Sequence, residues 1–464
     1  MIKKQLIASN KSITKIEGQL RSSYSGVAID SRKYEEGKIF ICLRGENFDG
    51  ADFIENVIEQ GAQAIVLTHD EKNRKNVDKY IQYFPQVVWI FVKNSLLFLQ
   101  QLAHEHLLQW KNHNLGRKVI AITGSNAKTT TKEMLYHLLN SIENDRVFAT
   151  QGNYNNHIGV PLTLLELKDC HKLAIIEMGT NHPGEIAALC DIASPDMGII
   201  TNIGYAHIEF LKDLEGVFIE KSSLARYLQI HRRGPIIINI DDEYLQKIQN
   251  NNIVTFGHCD KAHYVIELGE DKITVSYSNY ACILNNEYIC GEHNYINLAC
   301  CFITAISILG EDKINDLIIA AQEFKPKQNR SFWIPHDDKH IFLDAYNANP
   351  SSMVAALKGF TAAWIKKCGN PENCLVVLGD MNELGASGAG HHCEIGKLLS
   401  ELGIKNAVFI GRYGKEYAKH FEGEYQIFDN VKKFKTQTWH GCLQEYSWIF
   451  LKGSRSLQLE TLVQ

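Results

Sequence analysis

The chain of 464 residues has no long uninterrupted apolar run. A membrane-spanning helix needs about 18 consecutive apolar residues. The segment that comes closest, Asn297–Gly310, predicts a buried helix instead. The opening residues, MIKKQLIASN, also lack the apolar stretch of a signal peptide. We therefore expect neither membrane insertion nor an export signal in this sequence.

The sequence also has no excess of basic charge and no Cys-x-x-Cys pair. Its formal net charge is -5 and its pI is about 6.4. These values argue against nucleic acid as a partner, so local cations and a metal ion would have to meet an anionic ligand. The 12 cysteines are scattered, and Cys300 and Cys301 are neighbours in an apolar segment. This usage is typical of reduced, buried thiols in a cytoplasmic protein, with a disulfide framework as the alternative.

Short-period repeats and low-complexity tracts are absent as well, so domains must be inferred from length and from the order of elements. A chain of 464 residues is too long for one ordinary core. The polar stretch Lys111–Arg117 precedes an apolar strand and predicts the first boundary. We predict three α/β domains, with bounds 1–113, 114–313 and 314–464.

Apolar strands alternate with helical stretches in the second and third segments. This alternation predicts mostly parallel sheets with helices on both faces, the last of them a doubly wound, Rossmann-like domain. Residues 262–288 alternate polar and apolar side chains and predict antiparallel hairpins. In the second segment we predict strands at Lys118–Thr123, Leu173–Met178, Met197–Asn202 and Pro235–Asn239, and helices at Thr131–Asn140, Gly184–Ile192, Leu214–Leu228 and Asn294–Leu309.

Residues 121–130, AITGSNAKTT, carry the most informative pattern. An apolar strand enters a Gly-Ser-Asn turn, which delivers Lys128, Thr129 and Thr130 to the start of a helix. Such a loop cradles phosphate, because its N–H groups and the helix N-terminus face the anion and the lysine neutralises charge. A threonine hydroxyl there can bind Mg²⁺. The sequence therefore predicts a nucleoside-triphosphate user, with a plain strand-to-helix turn as the alternative.

Ala127 stands where such loops usually carry glycine, just before the lysine. If the backbone at this position needs a positive φ, alanine costs on the order of 1 kcal/mol. If φ is negative, the change is nearly free. The sequence leaves both cases open.

Polar residues follow two further strands after this loop. Glu177 ends one apolar strand and His207 lies just past another. Either could hold Mg²⁺ together with Thr129, while a solvated acid and a structural histidine are the alternatives. Lys221 lies on the next helix, where a lysine is usually part of the solvated surface.

The last segment offers a second set of polar groups. Arg330 follows a Lys-Pro-Lys-Gln-Asn stretch, and Asp344 and Tyr346 end a predicted strand before Asn347-Ala348-Asn349-Pro350. A second domain with these groups could close over a nucleotide held by the first. A linker arginine and a turn built by asparagine and proline are the alternative.

Eight motifs of the chain resemble, in order, those of the Mur ligase family. They are TGSNAKTTTKEM, GNYNNHIGVPLTLL, EMGTNHPGEI, TNIGYAHIE, GEHNYINLA, DAYNANPSSM, GDMNELG and LKGSR. The opening segment IDSRKYEEGKIFICLRGENFDGADF is similar to that family's uridine-binding domain. YNANP and GDMNELG favour the branch that adds a dipeptide. The branch that adds the third residue typically has an Asp-Asn-Pro-Arg motif in its last domain, which is absent here.

This resemblance implies roles for individual residues. The ATP-binding residues would be Gly124, Ser125, Asn126, Ala127, Lys128, Thr129, Thr130, Asn294, Arg330, Asp344 and Tyr346. The metal ligands would be Thr129, Glu177, His207 and Lys221, the last of them as a carbamate, and the catalytic residues Lys128, His207 and Lys221. The substrates would contact Ser31 and Arg32 at the uridine diphosphate, Asn155 and Asn156 at the sugar-peptide, and Asn347 and Asn349 at the dipeptide.

The resemblance also implies the reaction. It predicts an enzyme, an ATP- and Mg²⁺-dependent ligase that joins D-alanyl-D-alanine to UDP-N-acetylmuramoyl-tripeptide through an acyl phosphate, for peptidoglycan synthesis. We expect a cytoplasmic monomer whose domains close around the intermediate, and the third residue of the tripeptide stays open. Two alternatives remain: a related ligase that acts on folate or another acid, and a nucleotide-binding protein without turnover in which Ala127 is the lesion.

Overall fold

The computed structural model describes residues 1–46, 48–70, 77–78, 80–278, 280–326, 332–336 and 338–463. Its backbone divides into two compact units. The first unit consists of Met1–Ala121, Asp145–Gly179 and Glu185–Met197. The second consists of Ile122–Asn144, Thr180–Gly184 and Gly198–Gln464.

A five-stranded sheet and a two-stranded sheet form the N-terminal part of the first unit. Strands β4 to β7 are parallel in the order β7-β6-β5-β4, and β2 adds to β7 antiparallel. Phe40, Ile65 and Trp89 of this sheet pack with Val57 of α2 in one buried cluster. The strands are β1 (Ile2–Lys3), β2 (Ile13–Glu17), β3 (Ser23–Tyr24), β4 (Gly26–Ala28), β5 (Lys38–Ile41), β6 (Ala64–Thr68) and β7 (Val88–Val92), and the helices are α1 (Lys4–Ala8), α2 (Ile54–Glu59) and α3 (Ser95–His113).

The next nine strands form one sheet in the order β16-β15-β14-β13-β12-β11-β8-β10-β9. Strands β11 to β14 are parallel, as are β9 and β10. Strands β14 to β16 are antiparallel, which confirms the hairpins predicted for residues 262–288. The strands are β8 (Lys118–Thr123), β9 (Val147–Ala149), β10 (Leu173–Glu177), β11 (Met197–Ile200), β12 (Ile236–Asn239), β13 (Ile253–Gly257), β14 (Tyr264–Gly269), β15 (Lys272–Tyr277) and β16 (Tyr280–Asn285).

Eight helices accompany these strands among the residues that the structure describes. They are α4 (Lys128–Glu143), α5 (Gly159–Leu165), α6 (Glu185–Ala193), α7 (Ile208–Leu211), α8 (Leu214–Lys221), α9 (Ser223–Ile230), α10 (Glu292–Leu309) and α11 (Ile314–Glu323). The predicted single helix Leu214–Leu228 is wrong, because the chain forms two helices that meet at Ser222. Across the described part of the chain, no helix is both long and apolar enough to cross a membrane.

The C-terminal sheet has the order β17-β18-β22-β19-β20-β21, in which all strands but β17 are parallel. Alternate residues of its strands enter two hydrophobic clusters, one around Phe342 and Phe360 and one around Phe434 and Trp439. Both faces are therefore covered, and the predicted doubly wound arrangement is confirmed. The strands are β17 (Phe332–His336), β18 (Lys339–Asp344), β19 (Cys374–Gly379), β20 (Asn406–Ile410), β21 (Glu424–Phe428) and β22 (Trp448–Lys452), and the helices are α12 (Pro350–Lys367), α13 (Gly388–Glu401), α14 (Gly414–Ala418), α15 (Val431–Phe434) and α16 (His440–Glu445).

Candidate active site

The loop between β8 and α4 has a backbone that only small residues fit. Gly124 has φ +142°, and a Cβ added there would lie 2.0 Å from Oγ1 of Thr201. Ala127 has φ 61° and ψ 6°, so it lies in the left-handed region and immediately precedes the helix. The open question about Ala127 is therefore answered, because the position does require a positive φ and alanine is strained there by about 1 kcal/mol.

The segment that follows β11 fastens this loop. The Ser125 N–H donates to the carbonyl of Asn202 (3.0 Å), and its hydroxyl donates to the Gly204 carbonyl (3.0 Å) and accepts from the Gly204 N–H (2.9 Å). The Asn126 N–H donates to Oδ1 of Asn202 (3.0 Å), and the Thr201 hydroxyl donates to the Asn126 carbonyl (2.6 Å). The loop is therefore preorganised by contacts that do not involve a ligand.

The side chain of Lys128 folds back over the loop. Its Nζ donates to the carbonyls of Gly124 (2.8 Å) and Ser125 (3.1 Å). Helix α4 starts at this lysine and is 16 residues long, so its N-terminal N–H groups and dipole favour an anion at the same place. The arrangement fits the phosphates of a nucleotide.

His207 lies at the start of α7 with φ 55° and its side chain only 15% exposed. Its Nδ1 is 2.7 Å from Oε2 of Glu383, which belongs to the loop between β19 and α13. This neighbour lowers the pKa of the Glu383 carboxyl group below its usual value, and the charge of Lys128 lowers it further. No local sequence pattern pointed to Glu383, although it lies inside the motif GDMNELG.

Lys221 is fully buried at the end of α8, with 0% of its surface exposed. The interpretation of this residue as an ordinary surface lysine is therefore wrong. Its neighbour Glu220 is also buried and accepts from the Thr180 hydroxyl (3.2 Å) and the Gly184 N–H (2.6 Å). Burying the charged ammonium group of a lysine costs free energy, so a fully buried lysine indicates a specific role or a modified charge.

Asp344 and Lys452 form an ion pair at the ends of the neighbouring strands β18 and β22. Only 1% of the Lys452 side chain is exposed, and its Nζ also donates to the Asn347 carbonyl (3.0 Å). The buried Asn294 side chain donates to the Cys290 carbonyl (2.8 Å). Burial lowers the pKa of the adjacent His293 to about 4. Lys452 is a second residue that sequence analysis did not single out, although LKGSR was among its motifs.

Asn349 connects the start of α12 with the phosphate loop. Its Oδ1 accepts from the Ser352 N–H (2.9 Å), and the Ser352 hydroxyl accepts from the Asn349 N–H (3.0 Å), which is a reciprocal helix cap. Its Nδ2 donates to Oδ1 of Asn126 (2.7 Å). Tyr346 is half-buried just before this cap. Arg330 lies outside the described residues.

The predicted residues of the first unit are Ser31, Arg32, Asn155, Asn156 and Glu177. Glu177 is buried at the end of β10, where Oε1 accepts from Nδ2 of Asn155 (2.8 Å). Oδ1 of Asn156 accepts from the N–H groups of Ile158 (3.1 Å) and Gly159 (2.8 Å) and so caps α5. Asn156 therefore has a structural task in addition to any contact with substrate.

Ser31 and Arg32 lie in a short 3₁₀ turn, Ser31–Lys33, after β4. Asp30 accepts from Nε (2.9 Å) and Nη2 (2.8 Å) of Arg32, and this contact lowers the pKa of Asp30 to about 2. Ser31 is buried, whereas the Arg32 side chain is 85% exposed. The guanidinium group is thus held in place and remains accessible to an anion.

Comparison with known proteins agrees with this arrangement. Three family profiles match consecutive parts of the chain: "Mur ligase family, catalytic domain" at residues 23–107, "Mur ligase middle domain" at 122–305 and "Mur ligase, glutamate ligase domain" at 329–455. A Bacillus subtilis protein named UDP-N-acetylmuramoyl-tripeptide–D-alanyl-D-alanine ligase is 33% identical over 449 residues, covering 95% of this chain and 92% of its own. The Escherichia coli protein of the same name is 27% identical and covers 97% of this chain and 96% of its own.

Solved structures give the same result. MurF from Acinetobacter baumannii superposes with a TM-score of 0.83 at 26% identity, covering 99% of this chain and 97% of its own. MurF ligase from Thermotoga maritima, crystallised in complex with ADP, gives a TM-score of 0.75 at 25% identity and covers 94% of this chain and 96% of its own.

The chain belongs to the Mur ligase family. Both the relatives and the solved structures named above are of the MurF type within that family. The predicted three-domain α/β architecture and the resemblance are confirmed, and the protein is an ATP-dependent ligase. The domain bounds 1–113, 114–313 and 314–464 stay predictions.

Proposed function

We propose that this enzyme uses ATP to join D-alanyl-D-alanine to UDP-N-acetylmuramoyl-tripeptide, which yields the pentapeptide precursor of peptidoglycan. The observation that carries the proposal is the preorganised phosphate loop, with Lys128 folded over it at the start of a long helix. Similarity along nearly the whole chain to relatives named for this reaction supports the choice of substrates.

The chemistry explains why a nucleotide is needed. A carboxylate does not acylate an amine in water, because its leaving group would be oxide. In the proposed reaction a carboxylate oxygen of the tripeptide attacks the γ-phosphorus, the bond to the β-phosphate oxygen breaks, and ADP leaves. The dipeptide amine then attacks the acyl carbon, phosphate leaves, and the amine gives up a proton as the amide forms.

Residues of the second unit are proposed to hold ATP. Lys128 would offset charge on the phosphoryl group during transfer. Asp344 is fixed by the buried Lys452, and Asn349 joins α12 to the loop, which supports a contribution of the C-terminal part to nucleotide binding. The proposed set is Gly124, Ser125, Asn126, Ala127, Lys128, Thr129, Thr130, Asn294, Arg330, Asp344 and Tyr346.

Four side chains are proposed for Mg²⁺: Thr129, Glu177, His207 and Lys221. Hydroxyl and carboxylate oxygens are ligands that Mg²⁺ prefers, and a carbamate on Lys221 would add another anion in place of a buried ammonium group. Bound there, Mg²⁺ would offset negative charge on the phosphoryl group. Within the described ranges no three His, Cys, Asp or Glu side chains are grouped as an ion site. Mg²⁺ usually keeps phosphate oxygens and waters as ligands, so a complete protein cage is not required.

The carbamate has its own test. A Lys221→Ala variant should lose activity and regain part of it when a short carboxylic acid is added, because the acid can replace the missing anion. Failure of the added acid to restore activity would leave the carbamate unsupported.

The other substrate contacts are also proposals. Ser31 and Arg32 would bind the uridine diphosphate, Asn155 and Asn156 the sugar-peptide, and Asn347 and Asn349 the dipeptide. The held but exposed guanidinium group of Arg32 supports the first of these. We further propose that the protein acts in the cytoplasm as a monomer.

The test is ADP release by the purified protein with ATP, Mg²⁺, UDP-N-acetylmuramoyl-tripeptide and D-alanyl-D-alanine, with each component omitted in turn. We expect release only in the complete mixture, together with a pentapeptide product by mass. The Lys128→Met variant should lose both signals. If the complete mixture gives no release, and Ala127→Gly does not restore it, the alternative of nucleotide binding without turnover replaces this proposal.

A further inference from the structure

The loop that follows β19 is held rigidly and carries Glu383 toward the phosphate-binding part of the second unit. The Met381 N–H donates to Nε2 of His392 (2.9 Å), and the Asn382 N–H donates to the hydroxyl of Ser454 (3.0 Å). These contacts fix the loop on both sides, from α13 and from the segment after β22. The position of Glu383 is therefore fixed by hydrogen bonds between its loop and other parts of the C-terminal domain.

Glu383 has the backbone conformation of a residue under constraint. Its φ is 63°, in the left-handed region that glutamate rarely adopts. Its carbonyl lies 3.4 Å from the Glu209 N–H, and its carboxylate lies 2.7 Å from Nδ1 of His207. Backbone strain of this kind persists only where the surroundings impose it, and it is concentrated at functional sites.

The carboxylate contact involves only one of the two ring nitrogens of His207. The Nδ1 atom lies within ion-pair distance of the Glu383 carboxylate, but the two groups are not aligned as a straight hydrogen bond. Histidines that bind metals usually direct their other N–H to a carboxylate or carbonyl, which fixes the tautomer and the ring orientation. With its proton on Nδ1, the imidazole keeps its lone pair on Nε2.

We propose that Glu383 is a positioning residue that orients His207 through Nδ1 and leaves Nε2 as the metal-binding atom. This inference rests on the metal role of His207 in the proposed function. It adds that the C-terminal domain completes the metal site indirectly, although none of its side chains need touch the ion. The metal site would then reach full affinity only when the loop with Glu383 is docked against residues 207–209.

The rival explanation is a purely mechanical one, in which Glu383 only holds two domains together. The two explanations differ in what limits the enzyme. A positioning residue sets the affinity for the ion, so excess metal should restore turnover. A mechanical contact would lower turnover at every metal concentration and leave the affinity unchanged.

The experiment measures Mn²⁺, a spectroscopic substitute for Mg²⁺, by electron paramagnetic resonance with the full-length protein and ADP. We compare the wild type with Glu383→Ala, Glu383→Gln and His207→Ala. Glu401→Ala is the matched control, because Glu401 is an exposed acid of the same domain whose carboxylate pairs with Lys397 in α13. Glutamine keeps the length of the glutamate side chain and an acceptor oxygen, so it also serves if the alanine variant does not fold.

We expect Glu383→Ala to weaken Mn²⁺ binding about tenfold or more, which is the usual effect of losing the partner of a metal-binding histidine. Glu383→Gln should lie between this variant and the wild type, and Glu401→Ala should match the wild type. In the ligase assay, the Mg²⁺ concentration for half-maximal ADP release should rise by a similar factor, with kcat at saturating Mg²⁺ nearly unchanged.

Unchanged Mn²⁺ affinity in both Glu383 variants, with His207→Ala weakened, would overturn the inference and leave the proposed metal role of His207 standing. Unchanged affinity in His207→Ala would remove that metal role and the inference with it. The omission assay for ADP release decides the ligase reaction separately, so the three failures can be told apart.

Discussion

Ala127 has a backbone conformation that lowers the stability of the folded protein. Its φ of 61° suits glycine, and an L-residue there is strained by about 1 kcal/mol. We predict that Ala127→Gly raises the melting temperature of the protein. ADP should bind at least as tightly as it does to the wild type, since the loop keeps its shape.

The control for this substitution is the same change at a position with ordinary helical geometry. Ala362 is exposed within α12, where Ala→Gly should cost about 1 kcal/mol and lower the melting temperature. Two changes of the same sign would show that the backbone at Ala127 is not strained.

At the scale of one element, α12 depends on its first residues. Asn349 and Ser352 cap each other reciprocally, and Asn349 is only 5% exposed. We predict that Asn349→Ala lowers stability by about 1 kcal/mol. Asn349→Asp should lower it less, because aspartate keeps the cap and its charge suits a helix N-terminus, although it loses the donor to Oδ1 of Asn126. Thermal unfolding followed by circular dichroism measures this, and equal losses in the two variants would contradict it.

A second prediction concerns how α13 holds the loop after β19. His392 is buried, its Nδ1 lies 2.6 Å from the Gly388 carbonyl, and its Nε2 accepts from the Met381 N–H. Both contacts are satisfied together only by neutral imidazole, and burial lowers the pKa of His392 below its ordinary 6.5. The unfolded chain therefore binds more protons, so this contribution to stability is complete above about pH 6.5 and declines as the pH falls toward the lower folded pKa.

We therefore expect the melting temperature to fall between pH 7.5 and pH 5.5, and to fall less in His392→Gln, whose amide oxygen can accept from Met381 without titrating. The slope will not vanish, because burial also lowers the pKa of His106, His171, His293 and His340. Parallel curves for variant and wild type would exclude His392 as a contributor.

Elements with strong local patterns could be predicted from the sequence. The bounds of β8 were correct because its apolar run is closed by Gly124, and α10 ends at Leu309 before Gly310, as expected. The break at Ser222 could not be predicted, because neither glycine nor proline marks it. The short strand β9 was missed, since three residues carry too little periodicity to be recognised.

The residues of the candidate site also fall into two groups, those that a local sequence pattern marks and those that only tertiary contacts bring together. The loop between β8 and α4 is contiguous in sequence, so its strand, turn and helix could be predicted, and the phosphate-binding roles of its residues stay predictions. The contacts of His207 with Glu383 and of Asn126 with Asn349 join residues that are distant along the chain, so no local pattern contains them. The burial of Lys221 also depends on tertiary packing, and only the family resemblance pointed to that residue.

For the whole molecule, the twelve cysteines give a simple test. All are free, seven are buried, and Cys170, Cys259 and Cys368 are exposed, so the expectation of buried thiols fails for these three. Burial raises the pKa of Cys300 and Cys374 to about 12, which suppresses their reactive thiolate forms. A thiol reagent should modify about three groups rapidly in the native protein and all twelve after unfolding without reductant. Fewer than twelve on unfolding would reveal a disulfide.

The position of β22 has a consequence for the order in which this molecule can be assembled. This strand follows all others of the C-terminal sheet along the chain, yet it lies between β18 and β19 at the centre. The segment that completes the sheet therefore leaves the ribosome after every other strand of this sheet, and it brings Lys452 and Ser454 with it. Until β22 has been made, β18 and β19 lack the strand that lies between them, because these two strands do not pair with each other. The C-terminal sheet, and with it the pairing of Lys452 with Asp344, can thus form only after translation has passed β22.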